Sequence, residues 1–187
     1  NLIVATVAST VGFWAWTIIG PLSSRYAADM DLGAGQTSIL VAMPILVGSV
    51  ARIPVGALTD RYGGRIMFTV ILGITAPLVL LTGIVGQMGN FPFLVVIAFF
   101  LGIAGTVFAI GIPFCSAWYE RNRKGFATGV FGAGMVGTAV SAFFTPRLVT
   151  AVGYMGSHIT LAVVVAAMPV AGRLTLRGAP AGPAPPH

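Results

Sequence analysis

Charged positions are sparse along this chain and gather in clusters, with long oily stretches between them. Residues 1–24 and 32–51 carry no charge, and nor does any position from 66 to 119. Polar and apolar residues do not alternate with period two within these runs, as the strands of a membrane barrel would require. A helix needs about 20 apolar residues to cross the hydrocarbon, so 66–119 must double back once. "GQMGNFP", residues 86–92, supplies the break with two glycines, an asparagine and a proline. Extending this reading predicts six helices, at roughly 2–23, 36–59, 66–86, 92–118, 125–147 and 157–173. The expected fold class is therefore an all-α integral membrane protein with six transmembrane helices.

Composition removes the soluble alternative. Only 7% of the 187 residues are charged and 57% are hydrophobic, whereas soluble domains carry roughly 25% charged residues. The first apolar run lacks a basic flank and a small-x-small cleavage site, so it reads as a span and not as a signal peptide. The chain begins at Asn1, which suggests that an N-terminal piece is missing. Residues 1–176 form the expected membrane unit, and "RGAPAGPAPPH", 177–187, reads as a disordered Pro/Ala-rich tail.

Basic residues set the expected orientation in the cell membrane. With the N-terminus cytoplasmic, Arg61, Arg65, Arg121, Arg123, Lys124, Arg173 and Arg177 lie inside, and only Arg25 and Arg147 lie outside. Both ends of the segment are then cytoplasmic. The net charge of +6 reports topology, and no nucleic-acid partner is expected. Tyr26, Tyr62, Trp118, Tyr119 and Tyr154 fall near span ends, where an interfacial aromatic belt would place them. Cys115 stands alone, and no cofactor or metal site is expected.

Arg52 breaks the pattern. It lies eight residues inside the second span from Asp60, about 12 Å along a helix, near the middle of a hydrocarbon core about 30 Å thick. A charge there costs at least about 2.5 kcal/mol on the insertion scale. The four acids, Asp29, Asp31, Asp60 and Glu120, all sit at loops or span ends. A guanidinium without a counter-ion suits a small anion, above all a planar one gripped through two donors. Pairing with backbone carbonyls, or with an acid on a segment outside this sequence, is the alternative. The same census disfavours cation transport and carboxylate proton relays. His158 is the one remaining relay candidate, at a span start where a solvated or structural role is expected. Ser157 and His158 are adjacent but form no recognisable hydrolytic constellation, so no enzyme is expected.

Two sequence patterns resemble known transporters. "GALTDRYGGR", 56–65, is similar to the loop between the second and third helices of the major facilitator superfamily, matched at Gly56, Asp60, Arg61, Gly63 and Arg65. Gly64 stands where that family usually has a basic residue. The resemblance implies the N-terminal half of that fold, two three-helix inverted repeats, with the loop acting as a gating latch. Residues 102–147 resemble the nitrate/nitrite porter family: Gly102, Gly105, Phe108 and Gly111 in the fourth helix, then Gly132, Ala133, Gly134 and Gly137 in the fifth. That likeness implies secondary transport of nitrate or nitrite by alternating access. Arg52 would be the anion ligand, Phe108 a pocket wall, and Gly134, Gly137 and Trp14 further substrate-site residues. Met135 replaces the asparagine usual in the family's glycine run, which leaves formate, oxalate or cyanate as alternative anions. The partners implied are the lipid bilayer and a C-terminal six-helix half, in the same longer chain or a second copy. A truncated, non-transporting fragment is the remaining reading.

Two features follow from spacing alone. Gly125, Gly129, Ala133, Gly137 and Ser141 recur every four residues, a stripe expected to pack closely against a neighbouring helix. Trp14 and Trp16, two apart, must face nearly opposite sides of the first span, so at most one lines a central cavity.

Overall fold

A computed structural model describes residues 2–175, all of them helical or in short connections. The proline-rich tail expected at 177–187 lies outside the described residues. The first span joins α1 (Leu2–Trp16) to α2 (Ile19–Asp29), and the second joins α3 (Ala34–Val50) to α4 (Arg52–Tyr62) with a 41° bend. The third is one helix, α5 (Gly64–Met88). The fourth runs through α6 (Phe91–Leu101), a 3₁₀ segment (Gly102–Thr106) and α7 (Val107–Ser116). After a short connection, α8 (Lys124–Gly132) and a second 3₁₀ segment (Ala133–Val136) lead into α9 (Gly137–Thr175).

The helical stretch Lys124–Thr175 is 52 residues long, about 78 Å at 1.5 Å per residue, far more than one crossing needs. Gly153, with φ 79° and ψ 171°, divides it into a fifth and a sixth span. Six passes result, as the apolar runs predict. The expected loop between 147 and 157 is instead helix up to Val152, followed by this single-residue reversal. Only glycine adopts such a backbone without strain, so the turn needs no further residues.

The other connections follow their local chemistry. Gly89 closes the third span in the left-handed conformation, and the side chain of Asn90 accepts a hydrogen bond from the Phe93 amide at 3.0 Å to start the fourth. Gly63, at φ 85°, turns the chain between the second and third spans. Glycine also sets the packing. A Cβ on Gly111 would stand 1.9 Å from the Phe131 ring, and one on Gly64 would stand 2.7 Å from Phe114. Interfaces this close are what hold helices together where lipid supplies no hydrophobic drive.

The small-residue stripe of the fifth span does not survive intact. Gly137 presses on the Thr10 carbonyl and on Phe13, and Ser141 is buried, but Gly125 and Gly129 have no neighbour within 4 Å of a would-be Cβ. Between the two halves of the stripe lies the 3₁₀ segment, which advances about 120° per residue instead of about 100°. The register is shifted by the time the helix resumes, and Gly134, outside the stripe, faces Ser9.

Two of the expected belt residues are also elsewhere. Tyr26 and Tyr154 are buried, 1% and 6% exposed, and their hydroxyls meet at 2.9 Å.

Candidate functional site

Helical regularity fails partway along four of the six spans. The first span loosens just after Thr17, where Ile18 and Gly20 donate to carbonyls three residues back, Ala15 and Thr17, instead of four. The second bends at Ala51, and the fourth and fifth tighten into their 3₁₀ segments. The third and sixth spans have no such break among the described residues. Interrupted helices in transporters mark the depth at which substrates bind, and Arg52 stands at the bend.

Its setting is aromatic. The guanidinium carbon lies 5.8 Å from the Trp16 ring centroid and 5.7 Å from that of Phe108, both within cation–π range. Nε is buried and makes no hydrogen bond among the described residues. No carboxylate there pairs with it; the ion pair found is Arg25–Asp29, at 3.2 Å. Within these residues no backbone carbonyl accepts from Nε.

The walls are held rigidly. Trp16 donates its indole N–H to the Pro44 carbonyl at 2.7 Å, which ties the first span to the second just before the bend. That indole lies on a bed of glycines: a Cβ on Gly105 would meet it at 2.6 Å and one on Gly48 at 2.7 Å. Gly102 meets Val47 and the Pro44 carbonyl in the same way. Phe13 packs edge-on against both Trp16 and Phe108, and Phe131, in the space Gly111 leaves, backs Phe108 at 5.9 Å.

The other expected site residues take different places. Trp14 faces away from Arg52, donates to Thr145 Oγ1 at 2.9 Å and tilts against Phe144. Gly134 and Gly137 bring the fifth span against Ser9, Thr10 and Phe13 of the first, one residue layer behind the aromatic wall. Trp16, Phe13 and Phe131 were not singled out by sequence reasoning as site residues. The signal for Trp16 was present in the opposed Trp14/Trp16 pair, but the rotation of the first span decides which one faces Arg52.

In the Gly56–Arg65 motif, Gly63 makes the turn while Asp60 and Arg61 are exposed, with Arg61 over the Tyr62 ring. Nη2 of Arg65 donates to the main-chain oxygen of Arg173, linking the third span to the end of the sixth. Gly56 has open space around it. The missing basic side chain at Gly64 has a local cause, since Phe114 fills the space a side chain would need.

At the opposite end of the bundle lies a second polar cluster. Arg25 sits over the Tyr154 ring at 4.7 Å, and Tyr154 joins Tyr26 and the Thr82 carbonyl. His158 is fully buried, not solvated, with Nδ1 3.0 Å from the Tyr154 carbonyl.

Comparison with known proteins bears on the whole arrangement. The Major Facilitator Superfamily profile matches residues 5–187. The chain belongs to the Major Facilitator Superfamily. A probable nitrate/nitrite transporter, NarK2 of Mycobacterium tuberculosis, is 51% identical over 180 residues, covering 96% of this chain and 46% of that one. A probable nitrate/nitrite antiporter, NarK1 of Thermus thermophilus, is 40% identical over 83% of this chain and 35% of its own. A nitrite extrusion protein of Bacillus subtilis is 36% identical over 82% and 38%. The chain thus spans less than half the length of these relatives. In fold it is similar to the crystal structure of a bacterial homologue of the human lysosomal transporter Spinster, with a TM-score of 0.81 at 15% identity, covering 97% of this chain and 44% of that one. Six passes forming half of a major facilitator fold account for both coverages.

Proposed function

We propose that this chain is the N-terminal half of a secondary transporter that moves nitrate, nitrite or both by alternating access. The observation that carries the reading is Arg52, a guanidinium at the bend of the second span, flanked by Trp16 and Phe108, whose Nε has no partner among the described residues. A planar oxyanion can accept from two guanidinium donors at once and lie flat between aromatic walls. The names of the relatives point to the same substrate class. Gly134, Gly137 and Trp14 serve the site by fixing the first span against the fifth.

In this reading the end carrying Arg61, Arg65, Arg121, Arg123, Lys124 and Arg173 faces the cytoplasm. The Asp60–Arg65 turn works there as the latch between alternating states. Substrate sites in such folds lie between repeats or halves near the bilayer midplane. The second wall is then supplied by a C-terminal half, in the same longer chain or a second copy.

Uptake or counterflow in the full-length protein tests the assignment. Arg52→Ala should abolish anion movement while membrane insertion persists; transport at the wild-type rate would remove Arg52 from the site. Another small anion such as formate, oxalate or cyanate is the second reading, favoured by Met135 in the glycine run. Met135→Asn should sharpen nitrate preference under the first reading, and unchanged selectivity supports the second.

A further inference from the structure

The arginine-rich end of the bundle holds a cleft that lies apart from Arg52 and its aromatic walls and shares only Arg65 with the Asp60–Arg65 turn. Arg65 lies at the start of the third span and Arg173 near the end of the sixth, and folding joins them across 108 positions. Arg65, Ile66, Thr69, Val70 and Arg173 line a space of about 270 Å³ between the two spans. Both arginines are exposed, and no lining residue is acidic. Asp29 and Asp31 belong to the opposite end, and neither Asp60 nor Glu120 pairs with these arginines among the described residues.

The cleft is polarised along its length. Its mouth carries two guanidiniums. Arg65 spends one donor on the Arg173 carbonyl, and Thr69 Oγ1 donates to the Arg65 carbonyl at 2.9 Å, so the hydroxyl is already engaged by the backbone. Beside and beyond Arg65 on the third span the surface becomes apolar: Ile66 and Val70 are 54% and 43% exposed. A ligand that fits must carry negative charge at one end and hydrocarbon at the other. Two like charges held together at a span terminus, with hydrocarbon-facing side chains beneath them, suit a lipid better than a soluble metabolite.

We propose that this cleft binds the headgroup phosphate of an anionic phospholipid, with an acyl chain lying on Ile66 and Val70. Arginine forks recognise phosphate oxygens through paired donors, and basic pockets between spans take acidic headgroups. A zwitterionic lipid presents the same phosphate but cancels it with its own ammonium, so it binds more weakly. The lipid bridges the third and sixth spans, the two without a mid-span break. The proposal is independent of what Arg52 binds.

The experiment uses the full-length protein, purified and equilibrated with mixed phosphatidylglycerol and phosphatidylcholine, with retained lipid read by native mass spectrometry. Phosphatidylglycerol should be retained preferentially. Arg173→Gln should reduce that preference about five-fold, the share of one arginine near a membrane surface. Adding Arg65→Gln should remove it, and Arg121→Gln, a basic residue outside the cleft, should leave it unchanged. Should the double variant fail to fold, Arg173→Gln alone decides, with thermal melting as the control on its integrity. Equal retention of the two lipids by the wild type would overturn the proposal. So would an unchanged preference in Arg173→Gln, or displacement of the lipid by millimolar inorganic phosphate.

Discussion

Arg25 and Arg52 are the same side chain in two settings. Arg25 pairs with Asp29 at 3.2 Å and lies over the Tyr154 ring, whose hydroxyl meets Tyr26 and the Thr82 carbonyl. Near this end of the bundle nearly every polar group has an answer, His158 Nε2 being the exception. Arg52 has aromatic faces but no carboxylate, and its Nε has no acceptor among the described residues. The backbone differs in the same sense. Arg52 stands at the bend of its own span, whereas the sixth span, which carries Tyr154 and His158, is unbroken. A satisfied cluster holds helices in place; an unsatisfied charge at a helix break is kept for something that arrives later.

Perturbing each region should separate these roles. The largest effect is expected for Arg52→Ala in the full-length protein: transport should fall by about a hundred-fold or more. The melting temperature should stay level or rise, because a costly desolvated charge has been removed. A drop in stability without a transport defect would place Arg52 with Arg25 among structural residues. Gly105→Ala should come next. Its Cβ would stand 2.6 Å from the Trp16 ring, and overpacking of that kind costs about 1–3 kcal/mol, visible in melting and in a changed tryptophan emission. Tyr154→Phe removes the hydroxyl that Tyr26 and the Thr82 carbonyl share. It should cost about 0.5–1.5 kcal/mol of stability and leave transport near wild type. Arg25→Gln should do least. Its ion pair has side chains 44% and 52% exposed, which limits it to about 0.5 kcal/mol, screened further by salt. A transport loss in Tyr154→Phe or Arg25→Gln as deep as that of Arg52→Ala would erase the distinction.

Much of this was legible in the residues. Apolar run length set the number of passes, "GQMGNFP" placed a reversal, and the missing intramembrane acids singled out Arg52. What could not be read depends on rotation and on distant partners. Trp14 and Trp16 point to opposite sides of one helix, but only the seating of that helix against Gly48 and Gly105 puts Trp16 beside the guanidinium. The stripe starting at Gly125 assumed a uniform helical step, which the 3₁₀ turn at Ala133–Val136 breaks. Tyr26 and Tyr154 look like interfacial residues singly; their hydroxyl contact joins positions 128 apart, beyond any local pattern. A connection between 147 and 157 was expected, but with Gly153 and Gly156 both available the residues did not show that Gly153 alone makes the reversal.

That glycine has a mechanical corollary. A tether of one residue between two passes has no slack, so neither can act as a piston against the other. Whatever cycle this half undergoes must swing the pair as a single lever about a pivot elsewhere.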